Sequence, residues 1–359
     1  MFRKCGAKTL QNERDDYMKS IIKEKINLCK RRAQYYKTVL TAVKRYSFGK
    51  KNKNKKFIIL KSYSKNWGIY STVLLLLPFM ERARQRNYIP IVDFSKQKLP
   101  LLQDEKRSRR ENAWEYYYKQ PEEETSLIEV YQSKNVRIVE RYCLNAPIWA
   151  KSMPASEEEL KRWNGVIKRN IHLSDELAKK VEAEKERIFG DVNKVLGVGI
   201  RAGFRYGMLK NDPLFDKHPK CATCEEYIAV AEQKMDEWNC DAIFLAIDDR
   251  EYWEKFVKHF GTKCRYVDRK LHHYFNNDHA VESLEELYIE YGGRRIGTRK
   301  KNEEYVVETH ILASCHALYA GVGSATVFAY FLNGGKYENI EVYNEGVYKG
   351  LGKKKHNPA

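Results

Sequence analysis

The chain has 359 residues, of which 43% are hydrophobic, 13% aromatic and 32% charged. That composition excludes a disordered or fibrous chain, and the length suits two lobes better than one core. The longest apolar run, Val73 to Met80, is too short to cross a bilayer, and no signal peptide is legible. Cysteines at positions 5, 29, 143, 221, 224, 240, 264 and 315 show no framework spacing and read as reduced thiols of a cytoplasmic protein.

The formal charge of +18 is unevenly placed. Through Lys56 there are 18 Lys/Arg and 4 Asp/Glu, a net of +14, which leaves about +4 for the rest. A basic arm over residues 1–56 suits contact with an anionic membrane surface at the inner face of a membrane, or with nucleic acid, or is simply a solvated helix and linker. Residues 15–46 read as a helix. Ile22, Ile26, Cys29, Ala33, Tyr36, Leu40 and Val43 form one apolar stripe, which could pack on the protein's own body or pair two copies in a homodimer. Residues 49–56 read as a polar linker.

The first lobe is expected over 57–190. Phe57–Leu60 reads as a buried strand, followed by a loop with Asn66, Trp67 and Gly68, a helix over 70–86 that Pro78 could bend, and a strand from Ile89 closed by Asp93. Asn112 to Tyr118 is an aromatic patch containing Trp114 and Glu115, suited to stacking on sugar rings or to core packing. Residues 156–189 read as charged and helical. The second lobe, 191–359, starts with the strand Val195–Ile200 ending in Arg201. A helix over 222–238, a strand Ala242–Ile247 ending in Asp248 and Asp249, a helix over 250–260, a short strand from Cys264, a helix over 303–315, a strand at Leu318–Ala320 and a helix over 325–332 follow. Residues 270–302 read as a long polar loop. Strands alternating with helices imply an α/β fold with a parallel sheet covered on both faces.

Several residues carry candidate chemistry. Arg201 ends a buried parallel strand, where open α/β sheets bind ligands, and a guanidinium there can fork onto a diphosphate; it could equally pair with a nearby carboxylate. Gly321-Val322-Gly323-Ser324 runs from a strand into a helix, so free backbone N–H groups and the Ser324 hydroxyl could meet an anion, or form a plain turn. The Glu308 carboxylate could accept the two N–H groups of a guanine edge, or lie on the surface. Asp248 and Asp249 lack the spacing of a divalent-metal pair, and Asp249 reads as a helix cap. His218, Cys221, Cys224 and Cys240 could hold zinc, although no second close pair accompanies Cys221 and Cys224, and His218-Pro219 also reads as a helix start.

Four segments, in order, resemble the clan of α-1,6-, nodulation and protein O-fucosyltransferases. They are Val198 to Ala202; His218-Pro219 with Glu225 to Ile228; Phe244 to Asp249; and Glu308 through Ile311 to Cys315 and on to Ser324. Asn112 to Tyr117 and Gly335 to Asn339 are similar to a bacterial surface-polysaccharide branch. The resemblance implies a GT-B-like fold of two Rossmann-like lobes with a cleft between them. It also implies an inverting transfer of fucose, or a related sugar, from a GDP-sugar to a glycan hydroxyl, with no metal or other cofactor. It implies that Arg201 holds the β-phosphate, that Ser324 bonds a phosphate oxygen and that Glu308 reads the guanine.

Donor-side residues are then Gly199, Arg201, Arg205, His218, Glu308, Gly323 and Ser324, and acceptor-side residues Asn66, Gly68, Asp93, Trp114 and Glu115. Where the clan has His, this chain has Gly199; its second arginine is Ala202, and its first serine is Gly323. Arg205 could restore lost positive charge. Base candidates are Asp212, Asp216, Asp93 and Glu115. The partners expected are a GDP-sugar and a glycan acceptor, lipid-linked or free, and no nucleic acid, because the charge lies in the arm and no recognition motif appears. The alternative is a non-catalytic nucleotide- or glycan-binding relative that has lost motif residues.

Overall fold

A computed structural model describes residues 43–61, 68–95, 111–122, 125–139, 153–203, 217–269, 271, 275–276, 279–280 and 298–350. The chain opens on strand β1 (Val43–Tyr46), then β2 (Phe57–Leu60), helix α1 (Ile69–Gln85), β3 (Ile89–Val92), the short helix α2 (Leu127–Val130) and β4 (Val136–Val139). The sheet order is β1-β4-β2-β3. Phe-Ile-Ile-Leu of β2 lies centrally and is parallel to both neighbours, as a continuous apolar run requires. β3 is an edge strand, where Pro90 need not donate a ladder bond.

β1 corrects the reading of residues 15–46 as one helix. Its residues Val43–Tyr46 pair antiparallel with β4, and Lys44 and Arg45 give the sheet a charged outer edge. Residues 49–56 are not a bare linker either. The Asn52 side chain donates to Glu129 and Ser133 at 2.9 and 3.0 Å, and the Phe48 ring packs edge-on against Tyr131. The sheet therefore begins before residue 57. Most of the 15–46 stripe lies outside the described residues.

Two helices replace the single run expected over 156–189: α3 (Glu157–Asn170) and α4 (Asp175–Phe189). The hydroxyls of Ser156 and Ser174 accept from Glu159 N and Leu177 N, and acidic residues fill both first turns. The second sheet is built from β5 (Val195–Ile200), α5 (Cys224–Glu237), β6 (Ala242–Ile247), α6 (Arg250–Phe260) and β7 (Cys264–Arg265). A two-residue-per-strand antiparallel ribbon, β8 (Phe275–Asn276) and β9 (His279–Ala280), interrupts the series. Helix α7 (Thr298–Leu312), β10 (Ala317–Gly321), α8 (Ser324–Asn333) and β11 (Asn339–Tyr343) complete it. The order is β11-β10-β5-β6-β7, all parallel. Chain order reverses between β10 and β5, so their C-terminal ends flank the switch-point crevice where such sheets bind ligands.

One hydrophobic core joins the two sheets. Leu60, Leu74 and Val92 share it with Val195, Phe244, Val327 and Phe331, and α1 packs against both α8 and α3. Across this contact Asn164 of α3 donates to the carbonyls of Phe331 and Leu332, capping α8. The next residue but one, Gly334, has φ of +70° and a side-chain position only 2.5 Å from Asn164 Nδ2, so glycine is needed there on both counts.

Candidate functional site

Strand alternation explains how Arg201 arrives at the crevice. Gly197, Gly199 and Arg201 fall on one face of β5, the face beneath α7 and α8. A β-carbon at Gly197 would stand 2.8 Å from Leu312 and 3.1 Å from Cys315; one at Gly199 would stand 3.1 Å from Ala320 and 3.4 Å from Thr326 Oγ1. The two glycines let both helices approach the sheet. Arg201 then emerges just past the strand, with its Cβ 3.8 Å from where a Gly323 side chain would begin. Gly199 is thus buried where α7 and α8 approach the sheet.

The structure shows Arg201 paired with a neighbouring carboxylate, the alternative reading of this residue. Its Nη1 donates to Asp248 Oδ2 at 2.5 Å, while its side chain is 44% exposed. Asp248 is 5% exposed and also accepts from Ala202 N at 2.9 Å, so the carboxylate is the fixed partner and the guanidinium faces outward. Asp249 caps α6 by accepting from Tyr252 N at 2.9 Å, as expected.

Glu308 is not a surface residue but one half of a buried ion pair. Its Oε1 accepts from Arg269 Nε at 2.8 Å, and both side chains are 4% exposed. Arg269 also donates to the Ile247 carbonyl and lies over the Tyr305 ring at 5.6 Å. The buried Glu308 carboxylate orients the Arg269 guanidinium at the end of β6. Burial pushes the Glu308 carboxyl up to about 7, against the pull of Arg269. Lys301, Tyr305 and Glu308 are spaced four and three residues apart and share one face of α7. Burial and the nearby Arg269 and Arg201 bring the Lys301 ammonium down to about 7.

The N-terminus of α1 meets this cluster from the first sheet. Tyr70 packs edge-on against Tyr305, with centroids 5.2 Å apart, and the Ser71 and Ser324 hydroxyls share a hydrogen bond of 2.9 Å. Gly323 and Gly68 are the extended N-caps of α8 and α1, and neither has a side chain to cap its helix. Gly68 is exposed, and no atom of the described residues lies within 4 Å of where its side chain would begin. The two helix N-termini therefore meet, with Arg201 beside that of α8.

Other candidates lie elsewhere. Asp93 is buried and accepts from Ser95 N, Ser95 Oγ and Tyr131 Oη at 2.9, 2.5 and 2.6 Å; it closes a turn and is not placed as a base. Glu115 accepts from Asn112 and Gln120, two side chains that also satisfy the backbone at Val92 and Phe94. Trp114 is 2% exposed, donates to the Lys119 carbonyl and packs on Tyr118 and Phe94, so it is a core residue and not a sugar platform. His218 is held where Tyr348 N donates to its carbonyl at 2.9 Å. Cys224 begins α5 and Cys240 lies beyond its far end, a separation of about 20 Å at 1.5 Å per residue that breaks up the zinc alternative. Asn66, Arg205, Asp212 and Asp216 lie outside the described residues. The sequence reading missed Ser71, Arg269, Lys301 and Tyr305; starting α7 at residue 298 instead of 303 would have exposed the Lys301-Tyr305-Glu308 face.

No protein-family model and no curated protein matches the chain. Among solved structures, the NodZ α-1,6-fucosyltransferase soaked with GDP-fucose is similar, with a TM-score of 0.43 and 12% identity over 78% of this chain and 93% of that one. Fucosyltransferase NodZ from Bradyrhizobium gives 0.42 and 11%, over 77% and 92%. POFUT1 in complex with GDP-fucose gives 0.43 and 8%, over 82% and 99%. Likeness of this degree assigns no reaction, and the functional reading rests on the chain's own residues.

Proposed function

We propose that the protein is a glycosyltransferase that moves fucose, or a related sugar, from a GDP-sugar to a glycan hydroxyl. The observation that carries this reading is Arg201 at the end of β5, beside the Gly323-Ser324 mouth of α8, in the switch-point crevice and flanked by Arg269 and Lys301. A diphosphate there meets a partly exposed guanidinium, helix N–H groups and two hydroxyls. The order of the four motif segments adds the guanosine and the sugar to that diphosphate.

In the inverting reaction a base takes the acceptor proton, the acceptor oxygen bonds to the anomeric carbon, and the bond from that carbon to the diphosphate oxygen breaks. Negative charge grows on the departing GDP, and cations fixed beforehand stabilise it without reorganising. Arg201, Arg269 and Lys301 supply charge that a divalent ion supplies in other transferases, which favours a metal-independent transfer. Asp93 and Glu115 are engaged in structural hydrogen bonds, so Asp212 and Asp216 are the base candidates that stand. The acceptor would approach from the α1 side, past Gly68. A glycan acceptor, free or lipid-linked, and a peripheral membrane contact through the basic residues before β1 belong to the same reading. So do a cytoplasmic place in bacterial polysaccharide synthesis and pairing of two copies through the 15–46 stripe. Among the described residues no helix is long and apolar enough to cross a membrane.

The structural employment of Asp93 and Glu115 also favours the second reading, a relative that binds nucleotide without turning it over. Incubation with GDP-fucose and candidate glycans in EDTA, followed by assay of released GDP, separates the two. Release supports transfer; tight GDP binding without release identifies the binder.

A further inference from the structure

The first turn of α8 holds a hydroxyl that the fold leaves without a partner. Thr326 is the third residue of the helix and is 7% exposed. Side chains on a helix lean back toward its N-terminus, so a residue at this position reaches over the N-cap. Thr326 does so: its Oγ1 lies 3.9 Å from where a Gly323 side chain would begin and 3.4 Å from where one on Gly199 would. Arg201 Cβ lies 3.8 Å from the same Gly323 point. The hydroxyl and the arginine therefore flank one spot at the mouth of the helix, and neither glycine sends a side chain over it.

Threonines inside helices commonly give their proton to the carbonyl four residues back. Thr72 does so to Gly68 at 3.1 Å and Thr309 to Tyr305 at 2.8 Å. For Thr326 that carbonyl belongs to Val322, ahead of the N-cap and outside the helical register, and among the described residues its hydroxyl has no hydrogen-bond partner. Ser324 differs, because its hydroxyl already shares a hydrogen bond with Ser71 at 2.9 Å. Gly323 offers the first-turn N–H groups no side-chain acceptor either. A nearly buried hydroxyl without a partner is costly unless a ligand completes it. Helix N–H groups, the positive end of the helix dipole and a guanidinium together select an anion with several acceptor oxygens. We propose that Thr326 is a phosphate ligand, its Oγ1 donating to an oxygen of a diphosphate held between Arg201 and the first turn of α8. This rests on the reading of the crevice as a nucleoside diphosphate site and adds to it a contact that the four motif segments do not include.

The test pairs Thr326→Val, which removes the hydroxyl at nearly constant shape, with Thr326→Ser, which keeps it. Calorimetric titration of the full chain with GDP and with inorganic pyrophosphate reads affinity, and thermal unfolding without ligand reads the fold. Thr326→Val should bind both ligands about 10- to 100-fold more weakly than wild type, the weight of one hydrogen bond to a charged group. Thr326→Ser should stay close to wild type. Free Thr326→Val should unfold at or above the wild-type temperature, because it loses a hydroxyl that nothing in the fold satisfies. Unchanged affinity in Thr326→Val, a Thr326→Ser as weak as Thr326→Val, or a free Thr326→Val that unfolds below wild type would each overturn the inference and leave the diphosphate reading standing. A wild type that binds neither GDP nor pyrophosphate would overturn both.

Discussion

Arg201 and Asp248 end neighbouring parallel strands and face each other at 2.5 Å, with the carboxylate buried and the guanidinium 44% exposed. The carboxylate aims the guanidinium into the crevice, and Ala202 N holds the carboxylate in turn. Removing the guanidinium leaves that backbone bond in place. Arg201→Ala should therefore keep the wild-type circular dichroism and lose donor turnover by about 100- to 1,000-fold, the usual cost of removing one fixed transition-state donor. Initial rates of GDP release check it; an Arg201→Ala enzyme with full activity would remove Arg201 from the site.

Arg269 and Glu308 form a pair with little access to water. Arg269→Met strands the buried Glu308 and should cost about 3–5 kcal/mol in urea unfolding. Burial holds the Glu308 pKa near 7, above the ordinary 4.5. The folded state therefore keeps a proton that the unfolded chain releases. This contribution is complete below pH 4.5 and declines as pH rises to 7, with a slope of up to about 1.4 kcal/mol per unit. Glu308→Gln should flatten that part of the stability profile.

Gly199 stands where the resemblance drawn from the sequence leads one to expect a histidine. Its neighbours Ala320, Leu312 and Thr326 leave 3.1–3.4 Å for a β-carbon. Gly199→His, although it matches that expectation, should destabilise the protein by about 1–3 kcal/mol or more through overpacking and should not improve GDP binding. Thermal unfolding and nucleotide titration read the two effects separately.

Because β1 belongs to the first sheet, two truncations should behave differently. Deleting residues 1–42 leaves the β1–β4 pairing and the Asn52 contacts intact and should preserve the first sheet and nucleotide binding. Deleting residues 1–56 removes both and bares the edge of β4, so it should lower the unfolding temperature and promote aggregation. Liposome co-sedimentation of the 1–42 deletion, with anionic and neutral lipid, tests the proposed membrane contact.

Elements governed by local pattern were legible in the sequence. The runs at β2, β5 and β6 are uninterrupted apolar stretches, and their strands match the expected bounds. The same holds for α6, with Asp249 as its cap. β1 was not legible: Val43 fits the heptad stripe before it, and only pairing with β4, 90 residues on, makes Val43–Tyr46 a strand. The site divides in the same way. Arg201, Gly323 and Ser324 could be placed because strand ends and helix starts fix them. The burial of Glu308 and Trp114 could not, because it depends on Arg269, Lys119 and Tyr118, residues whose proximity only the tertiary fold creates.

The central claim is that a guanosine diphosphate sits against Arg201 at the mouth of α8. Thermal unfolding of wild type and Arg201→Ala with GDP, UDP and ADP tests it most directly, since a ligand at 100 times its Kd adds about 2.7 kcal/mol of stability. The account predicts the largest rise in unfolding temperature for wild type with GDP, and its loss in Arg201→Ala. Equal stabilisation of both proteins by GDP, or none of wild type by any of the three, would contradict it.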